Sequence, residues 1–294
     1  MKITVFTPTY NRGYIIEKLY RSLQKQTYTN FEWLIIDDGS NDHTQELFDS
    51  WTQENNPFDI RYYKVKNGGK HRAINKGTDL AKGTLFFIVD SDDALTVDAL
   101  QSIVNWEKSI FNKHEFCGVS GNRGKNKSEL IGTTFAGEYV DATSLERNKF
   151  NITGDKAEVF YTEVLKKYKF DEIDGEKFIT EATVWDRMAY DGYKIRWFNK
   201  TVYLCDYLED GLTKNMKEIF AKNPIGTAIY ITQQIKFYNC DLKGRLSYYN
   251  LYVDFVKSKV SIIQMANYLE IKPVTLLTAI FLVKFKSLFV HNSK

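Results

Sequence analysis

An α/β fold, with a mixed and mostly parallel sheet flanked by helices and a helical C-terminal extension, is what this sequence predicts. Three observations predict it. Short strand-like runs rich in β-branched and aromatic residues, at 3–6, 31–36, 60–65 and 84–89, alternate with segments of helical period. Three of these runs empty into polar turns: Thr7 to Arg12, Asp37 to Ser40, and Asp90 to Asp93. From about residue 215 onward only helical period remains. Ligands of open α/β sheets bind beyond the carboxyl ends of the strands, so the polar turns mark the candidate site. No G-x-G-x-x-G follows the first strand, which argues against the dinucleotide fold.

Taken in order, the first strand is expected to stop at Pro8, whose missing N–H ends a ladder. Tyr14, Ile15, Leu19 and Leu23 then recur at helical spacing. After strand 31–36, Gly39 permits a tight turn, and Asn41 or Asp42 can cap a helix at 43–55. Strand 60–65 leads through Asn67, Gly68 and Gly69 into a helix bearing Lys70, His71, Arg72 and Asn75. The run 84–89 is apolar throughout, as expected of a strand buried on both faces. A helix is expected at 96–111. Beyond it the pattern weakens, to strands at 116–121 and 130–140 around a polar turn at 122–128. Helices at 158–168 and 180–190 follow, then strands at 194–198 and 202–207. The C-terminal helices are expected at 215–239, 243–258, 261–269 and, after Pro273, 273–289. The expected division is an α/β domain at 1–213, in halves 1–112 and 113–213, and an extension at 214–294.

Bulk composition bounds the possibilities. The 294 residues, 43% hydrophobic and 26% charged, suit one large domain or a domain with an appendage. A net charge of +3 is too weak to argue for nucleic acid. The last segment is basic nonetheless: Lys257, Lys259, Lys272, Lys284, Lys286 and Lys294 stand against Glu270 alone. A basic amphipathic helix there can lie on an anionic membrane surface, or it can dock on the domain with its lysines in water. Three widely spaced cysteines read as reduced thiols, the start reads as a strand and not a leader, and no apolar stretch is long enough to span a bilayer. These features lead to the expectation of a cytoplasmic protein.

Asp90, Asp92 and Asp93 carry the sharpest chemistry. Three carboxylates in four positions beside an apolar strand repel one another and lose hydration. A hard divalent cation held through oxygen answers both problems. The alternative is a solvated acidic turn capping the helix near Thr96.

With these motifs in order, TPTYNR after the first strand, DDGS after the second and VDSDD after the fourth, residues 1 to about 213 resemble the family 2 glycosyltransferases. These are inverting nucleotide-sugar transferases of the GT-A fold. The resemblance implies that Thr7, Pro8, Tyr10 and Arg12 belong to the loop around the nucleotide base. It implies that Asp38 accepts the uracil N–H, helix capping being the alternative for Asp37 and Asp38. Asp90, Ser91 and Asp92 match the DXD element. Asp92 would then coordinate Mg²⁺ or Mn²⁺ on the diphosphate, Asp90 would assist through ribose or water, and Asp93 would brace the turn. The chain departs from the family where Ile74 stands in place of an arginine, and Lys70 or Arg72 could supply the cation. It departs again before Trp185, where Thr180 and Glu181 replace a Glu-Asp pair. Glu181 is the implied general base, or a glutamate placed by the helix dipole. Asp155, Glu176 and Asp186 are the next candidates.

The resulting expectation is a metal-dependent, inverting hexosyltransferase. It would move a sugar from a UDP-sugar to a saccharide or lipid-linked acceptor in bacterial polysaccharide biosynthesis, at the inner face of the plasma membrane. Two rivals from other classes fit less well. A receiver domain would be far shorter and would place its acidic pair after the first strand. A sugar nucleotidyltransferase would carry a Gly-rich basic loop there. A non-catalytic nucleotide-sugar binder is the third alternative.

Overall fold

In a computed structural model, residues 1–205 and 215–291 are described, with side chains to residue 282. They fall into two compact units, Met1–Lys169 with Arg187–Asp206, and Phe170–Asp186 with Tyr207–Lys294.

The first unit is built on a mixed sheet. Strands β1 (Ile3–Thr9), β2 (Phe31–Asp37), β3 (Asp59–Lys64) and β4 (Leu85–Ile88) are mutually parallel in the order β3-β2-β1-β4. The sheet continues through β8 (Lys156–Tyr161), β6 (Phe116–Gly124), β9 (Lys194–Leu204) and the two-residue β5 (Ala94–Leu95), with β7 (Tyr139–Ala142) paired to β9. Helices α1 (Glu17–Gln24), α2 (Thr44–Trp51) and α4 (Ala99–Lys108) cover one face. Leu19, Tyr20, Leu23, Phe48, Trp51, Leu100, Ile103 and Val104 pack there against Val5, Trp33 and Phe87. Much of the aromatic excess is used in this core. On the other face α3 (Lys70–Leu80) lies so close to β1 that a Cβ at Gly77 would fall 2.2 Å from the Phe6 ring. A glycine is needed there for the close approach.

Several expectations are corrected. Pro8 does not end β1, which runs to Thr9 in register with Asp37 of β2. The pairing with β4 ends at Phe6 and Ile88, and Pro8 faces that side, so no partner strand needs its missing N–H. The helix expected at 158–168 is mostly strand: β8 occupies Lys156–Tyr161, and only Thr162–Leu165 is helical, forming α5. The reason is tertiary. Phe160 and Val159 pair with β4 on one side and β6 on the other, and burial between two strands outweighs local helical period. Residues 194–204 form one long strand where two short ones were expected. No strand forms over most of 130–140. The expected strand end at Tyr207 and domain boundary at 213 lie outside the described residues.

The second unit is helical. It holds α7 (Met216–Lys222), α8 (Pro224–Phe237), α9 (Leu242–Val256), α10 (Ile262–Tyr268) and α11 (Pro273–His291). The single helix expected at 215–239 is split at Asn223, because Pro224 cannot continue a helix but suits the first position of the next. Ala228, Ile231, Tyr252, Val256, Met265 and Leu276 form its core. Glu176 accepts the N–H groups of Ile225 and Gly226, both at 2.7 Å, and so closes the start of α8.

Candidate functional site

Because β8 runs antiparallel to both β4 and β6, and β9 runs parallel to β6, the carboxyl ends of β4, β6 and β9 share one edge of the sheet. That edge gathers Asp90, Arg123 and Tyr203. Lys70 Nζ lies 2.6 Å from Asp90 Oδ1, and Arg123 Nη1 lies 3.5 Å from Asp90 Oδ2. Tyr203 donates its hydroxyl to Asp93 Oδ2 at 2.7 Å and accepts the Asp90 N–H at 2.9 Å.

The three carboxylates sit in different electrostatic surroundings. Burial would raise Asp90, but Lys70 and then Arg123 overcome it and hold the group at about 2. Burial and then the Asp90 charge push Asp92 upward. Burial, followed by the charges of Asp90 and Asp92, pushes Asp93 up to about 8. Among the described residues no ion pair or side-chain hydrogen bond engages the Asp92 carboxylate. A cation would relieve both of its penalties, so the residue fits a divalent metal. Among the described residues no group of three or more His, Cys, Asp or Glu is arranged to hold an ion alone. One or two carboxylates are what Mg²⁺ needs when substrate phosphates supply the remaining oxygens.

A second cluster closes the end of β2. Asp38 accepts Gly68 N–H at 2.7 Å, Gly69 N–H at 2.8 Å and the Asn67 side-chain amide at 3.1 Å. Gly69, at φ 100°, is the N-cap of α3, and Lys70 is the first residue of that helix. The Asp38 carboxylate therefore fixes the turn that aims Lys70 at Asp90. Asp37 takes Ser40 N–H at 2.8 Å and the Tyr62 hydroxyl, so it closes the turn after β2 and does not cap α2, whose N-cap is His43.

The loops after β1 and β2 are laced together. Asn11 N–H donates to Ser40 Oγ, Asn41 N–H to Asn11 Oδ1, and Gly13 N–H to Asp42 Oδ2, at 2.8, 2.8 and 2.9 Å. Tyr10 stands out of this loop, 46% exposed, and Arg12 donates to the Tyr14 hydroxyl at 2.9 Å. Pro8 and Ser91 are buried at the strand ends. Thr7 departs from its expected place: it is fully buried, and its hydroxyl accepts the Trp33 indole N–H at 2.9 Å inside the core. Side chains alternate between faces along a strand, and this one falls on the core face.

Lys70, Asp90 and Asp92 are thus brought together, with Asp38 behind them through the Gly68–Gly69 turn. Glu181 belongs to the other unit. It is half-buried just before α6 (Ala182–Tyr190), and its carbonyl accepts the N–H groups of Val184 and Trp185 at 3.0 and 3.1 Å. Of the other candidate bases in that unit, Glu176 closes α8 and Asp186 accepts the Gln234 amide at 2.7 Å. Sequence reasoning missed Arg123 and Tyr203, which stand alone among unremarkable neighbours and meet Asp90 only through strand pairing.

The chain is similar to known glycosyltransferases in sequence and in fold. The profile of Glycosyl transferase family 2 matches residues 4–160. The chain is 29% identical over 216 residues to Glycosyltransferase GlyG of Streptococcus pneumoniae, which covers 69% of each chain. It is 27% identical over 190 residues to the GalNAc(5)-diNAcBac-PP-undecaprenol beta-1,3-glucosyltransferase of Campylobacter jejuni, covering 63% of this chain and 58% of that one. In fold it is similar to residues 1–349 of S. aureus TarS in complex with UDP-GlcNAc. The TM-score is 0.65 at 19% identity, over 95% of this chain and 82% of that one. The nine-stranded mixed sheet with C-terminal helices is accordingly of the GT-A type. More than half of the chain matches the family profile, and the chain belongs to glycosyltransferase family 2.

Proposed function

We propose that this glycosyltransferase moves a sugar from a UDP-sugar to a hydroxyl of a saccharide or lipid-linked acceptor, with inversion at the anomeric carbon. The observation that carries the reading is the turn after β4. There Asp92, whose carboxylate has no ion pair or side-chain hydrogen bond among the described residues, stands beside Asp90, clamped between two cations. In this reading residues 1–213 are the catalytic domain, 1–112 its nucleotide-binding half and 113–213 its acceptor half, with 214–294 an extension.

Asp92 would hold Mg²⁺ or Mn²⁺, which supplies charge neutralisation for the departing diphosphate. Lys70, paired with Asp90 Oδ1, would add a second positive charge to the phosphates. Asp38 would accept the uracil N–H in addition to its role in the turn, with Tyr10, Arg12, Pro8 and the backbone at Thr7 forming the wall of the base site. Ser91 and Asp90 would line the ribose and diphosphate. Glu181 would take the proton from the acceptor hydroxyl as it attacks. The name of the Campylobacter relative, which acts on an undecaprenol-linked saccharide, supports a lipid-linked acceptor. The TarS complex supports a UDP-sugar donor.

Peripheral contact with an anionic membrane, at the inner face, belongs to the same proposal. No helix among the described residues is long and apolar enough to cross a membrane. Val274, Leu277, Phe281 and Leu282 of α11 are nevertheless exposed, while Leu276 and Ala279 on its other side are fully buried. Lysines 272, 284 and 286 flank this row in the sequence. Exposed apolar residues among lysines suit the boundary between headgroups and acyl chains.

The test is thermal stabilisation by a panel of UDP- and GDP-sugars, with Mn²⁺ or with chelator, joined to UDP release by donor hydrolysis. UDP-sugars with Mn²⁺ should stabilise the parent, and Asp92→Asn should abolish that stabilisation and turnover. Glu181→Gln should cut turnover by about 10²–10⁴-fold with UDP binding unchanged. Full turnover in chelator refutes the metal, and tighter binding of GDP-sugars refutes uridine selection. Retained turnover in Glu181→Gln moves the base elsewhere. Stabilisation without any turnover leaves a nucleotide-sugar binder.

A further inference from the structure

Two cations hold Asp90, and they are built differently. Arg123, at the end of β6, is fixed on three sides. Its Nε donates to the Lys156 carbonyl at 2.8 Å, its guanidinium lies 4.2 Å from the centroid of the Tyr203 ring, and its Nη1 reaches Asp90 Oδ2. Tyr203 is itself held, by the Asp93 and Asp90 hydrogen bonds and by an edge contact with Phe87 at 6.2 Å. The Arg123 side chain is only 15% exposed. Lys70 is a compact ammonium on a flexible stem, 26% exposed, at the first position of a helix and against the other oxygen, Oδ1. A planar guanidinium that is stacked and hydrogen-bonded cannot follow an arriving ligand. An ammonium on four methylenes can.

We propose that Arg123 is a positioning residue of the donor site: it keeps Asp90 fixed through Oδ2, so that Lys70 can leave Oδ1 for the diphosphate of the donor without Asp90 turning or losing its countercharge. The inference rests on the donor site described above and adds a residue to it. Arg123 acts through Asp90 and need not touch the nucleotide. Without it, Lys70 would have to choose between Asp90 and the phosphates, and each donor-binding event would release a half-buried carboxylate from its cation.

The experiment is calorimetric titration of UDP with Mn²⁺ into the full chain and into Arg123→Met, Arg123→Lys, Asp90→Asn and the Asp90→Asn/Arg123→Met double variant. Each is first checked for a cooperative thermal transition. Arg123→Met should weaken UDP–Mn²⁺ binding by about 10–100-fold, the usual consequence of losing a group that orients a ligand-bearing residue. Arg123→Lys should recover only part of it, since an ammonium cannot at once stack on Tyr203, donate to the Lys156 carbonyl and reach Asp90. In the Asp90→Asn background the same substitution should have almost no further effect, because the residue through which it acts is gone. An equal loss in both backgrounds overturns the proposal in favour of a direct ligand contact. Unchanged UDP binding in a folded Arg123→Met protein also overturns it. If Arg123→Met does not fold, Arg123→Lys and Tyr203→Phe in the two Asp90 backgrounds provide the same comparison. Failure of the parent to bind any nucleotide overturns the donor site itself, a result distinct from the others.

Discussion

Replacing Asp38 by alanine tests a residue that holds a turn in the structure and is proposed to read the base as well. The carboxylate is 6% exposed and accepts two backbone N–H groups and one side-chain amide from the turn at 67–69. Hydrogen bonds to a charged acceptor contribute about 1.5–3 kcal/mol each, and a buried N–H left without a partner costs a comparable amount. Allowing for partial relaxation of the turn, Asp38→Ala should lower the unfolding free energy by about 3–5 kcal/mol, a large share of the 5–15 kcal/mol typical of a domain. Urea denaturation at pH 7 measures it, and an unchanged m-value would show that the unfolded state is not responsible. Asp38→Asn, which keeps one acceptor oxygen, should fall between. UDP affinity, measured below the variant's transition, should drop by about 1–3 kcal/mol if the same group also reads the base. A stability loss under 1 kcal/mol would refute the claim that this carboxylate holds the turn. A large stability loss with unchanged UDP affinity would leave Asp38 as a turn residue and nothing more.

Two further outcomes follow from buried and exposed side chains elsewhere. Lys156 is buried, its ammonium donates to the carbonyls of Ile131 and Thr133, and burial, then the charge of Arg147, lowers it to about 8 from an ordinary 10.5. Between those values the unfolded chain binds the proton and the fold does not, so the unfolding free energy should rise with pH across that window. The rise, measured against Lys156→Met to cancel other titrations, should approach about 3 kcal/mol at 1.36 kcal/mol per pH unit, and a flat difference would refute it. On α11, Leu277→Glu with Phe281→Glu should reduce co-sedimentation with anionic vesicles while leaving the transition temperature and UDP binding intact. These positions are 52% and 63% exposed, whereas deleting the helix would strip Leu276 from the helical core. Unchanged vesicle binding would refute the membrane contact, and a fall in oligomer size instead would assign that face to another copy of the chain.

How much was legible in the sequence depended on range. Of the parallel strands, β4 announced itself because it is buried on both faces and apolar along its whole length, Leu85–Ile88, whereas β3, Asp59–Lys64, is a partly exposed edge strand with charged residues and was legible chiefly from its place between polar turns. The polar turns were legible for the converse reason, that a strand end facing a site cannot be apolar. β8 was misread because Ala157, Val159 and Phe160 run without a break into the helical turn Thr162–Leu165. Only the neighbours β4 and β6, dozens of residues away in the chain, decide between the two periods. Arg123 and Tyr203 were invisible for the same cause. Each lies far from Asp90 along the chain, and neither sits in a pattern that a local reading rewards. Lys70 was noticed only as a substitute for an absent arginine, and its contact with Asp90 depends on a turn held by a third residue, Asp38.

The acidic turn illustrates why composition alone could not assign its members. Three carboxylates so close cannot all be ionised in partial burial without compensation, and the fold compensates each differently. Asp90 is ionised because two cations from separate elements, α3 and β6, reach its two oxygens. Asp93 is pushed up by burial and its neighbours' charges and takes the Tyr203 hydroxyl. What remains is Asp92, disfavoured by burial and by the charge of Asp90, with Arg12 and Lys70 offsetting this only in part. A cation arriving with a diphosphate gains most at the carboxylate that the protein has compensated least. On that ground Asp92, and not the doubly clamped Asp90, is the residue on which metal dependence should turn. Asp90→Asn should therefore weaken donor binding through the cations it organises, and Asp92→Asn should remove the response to Mn²⁺ itself.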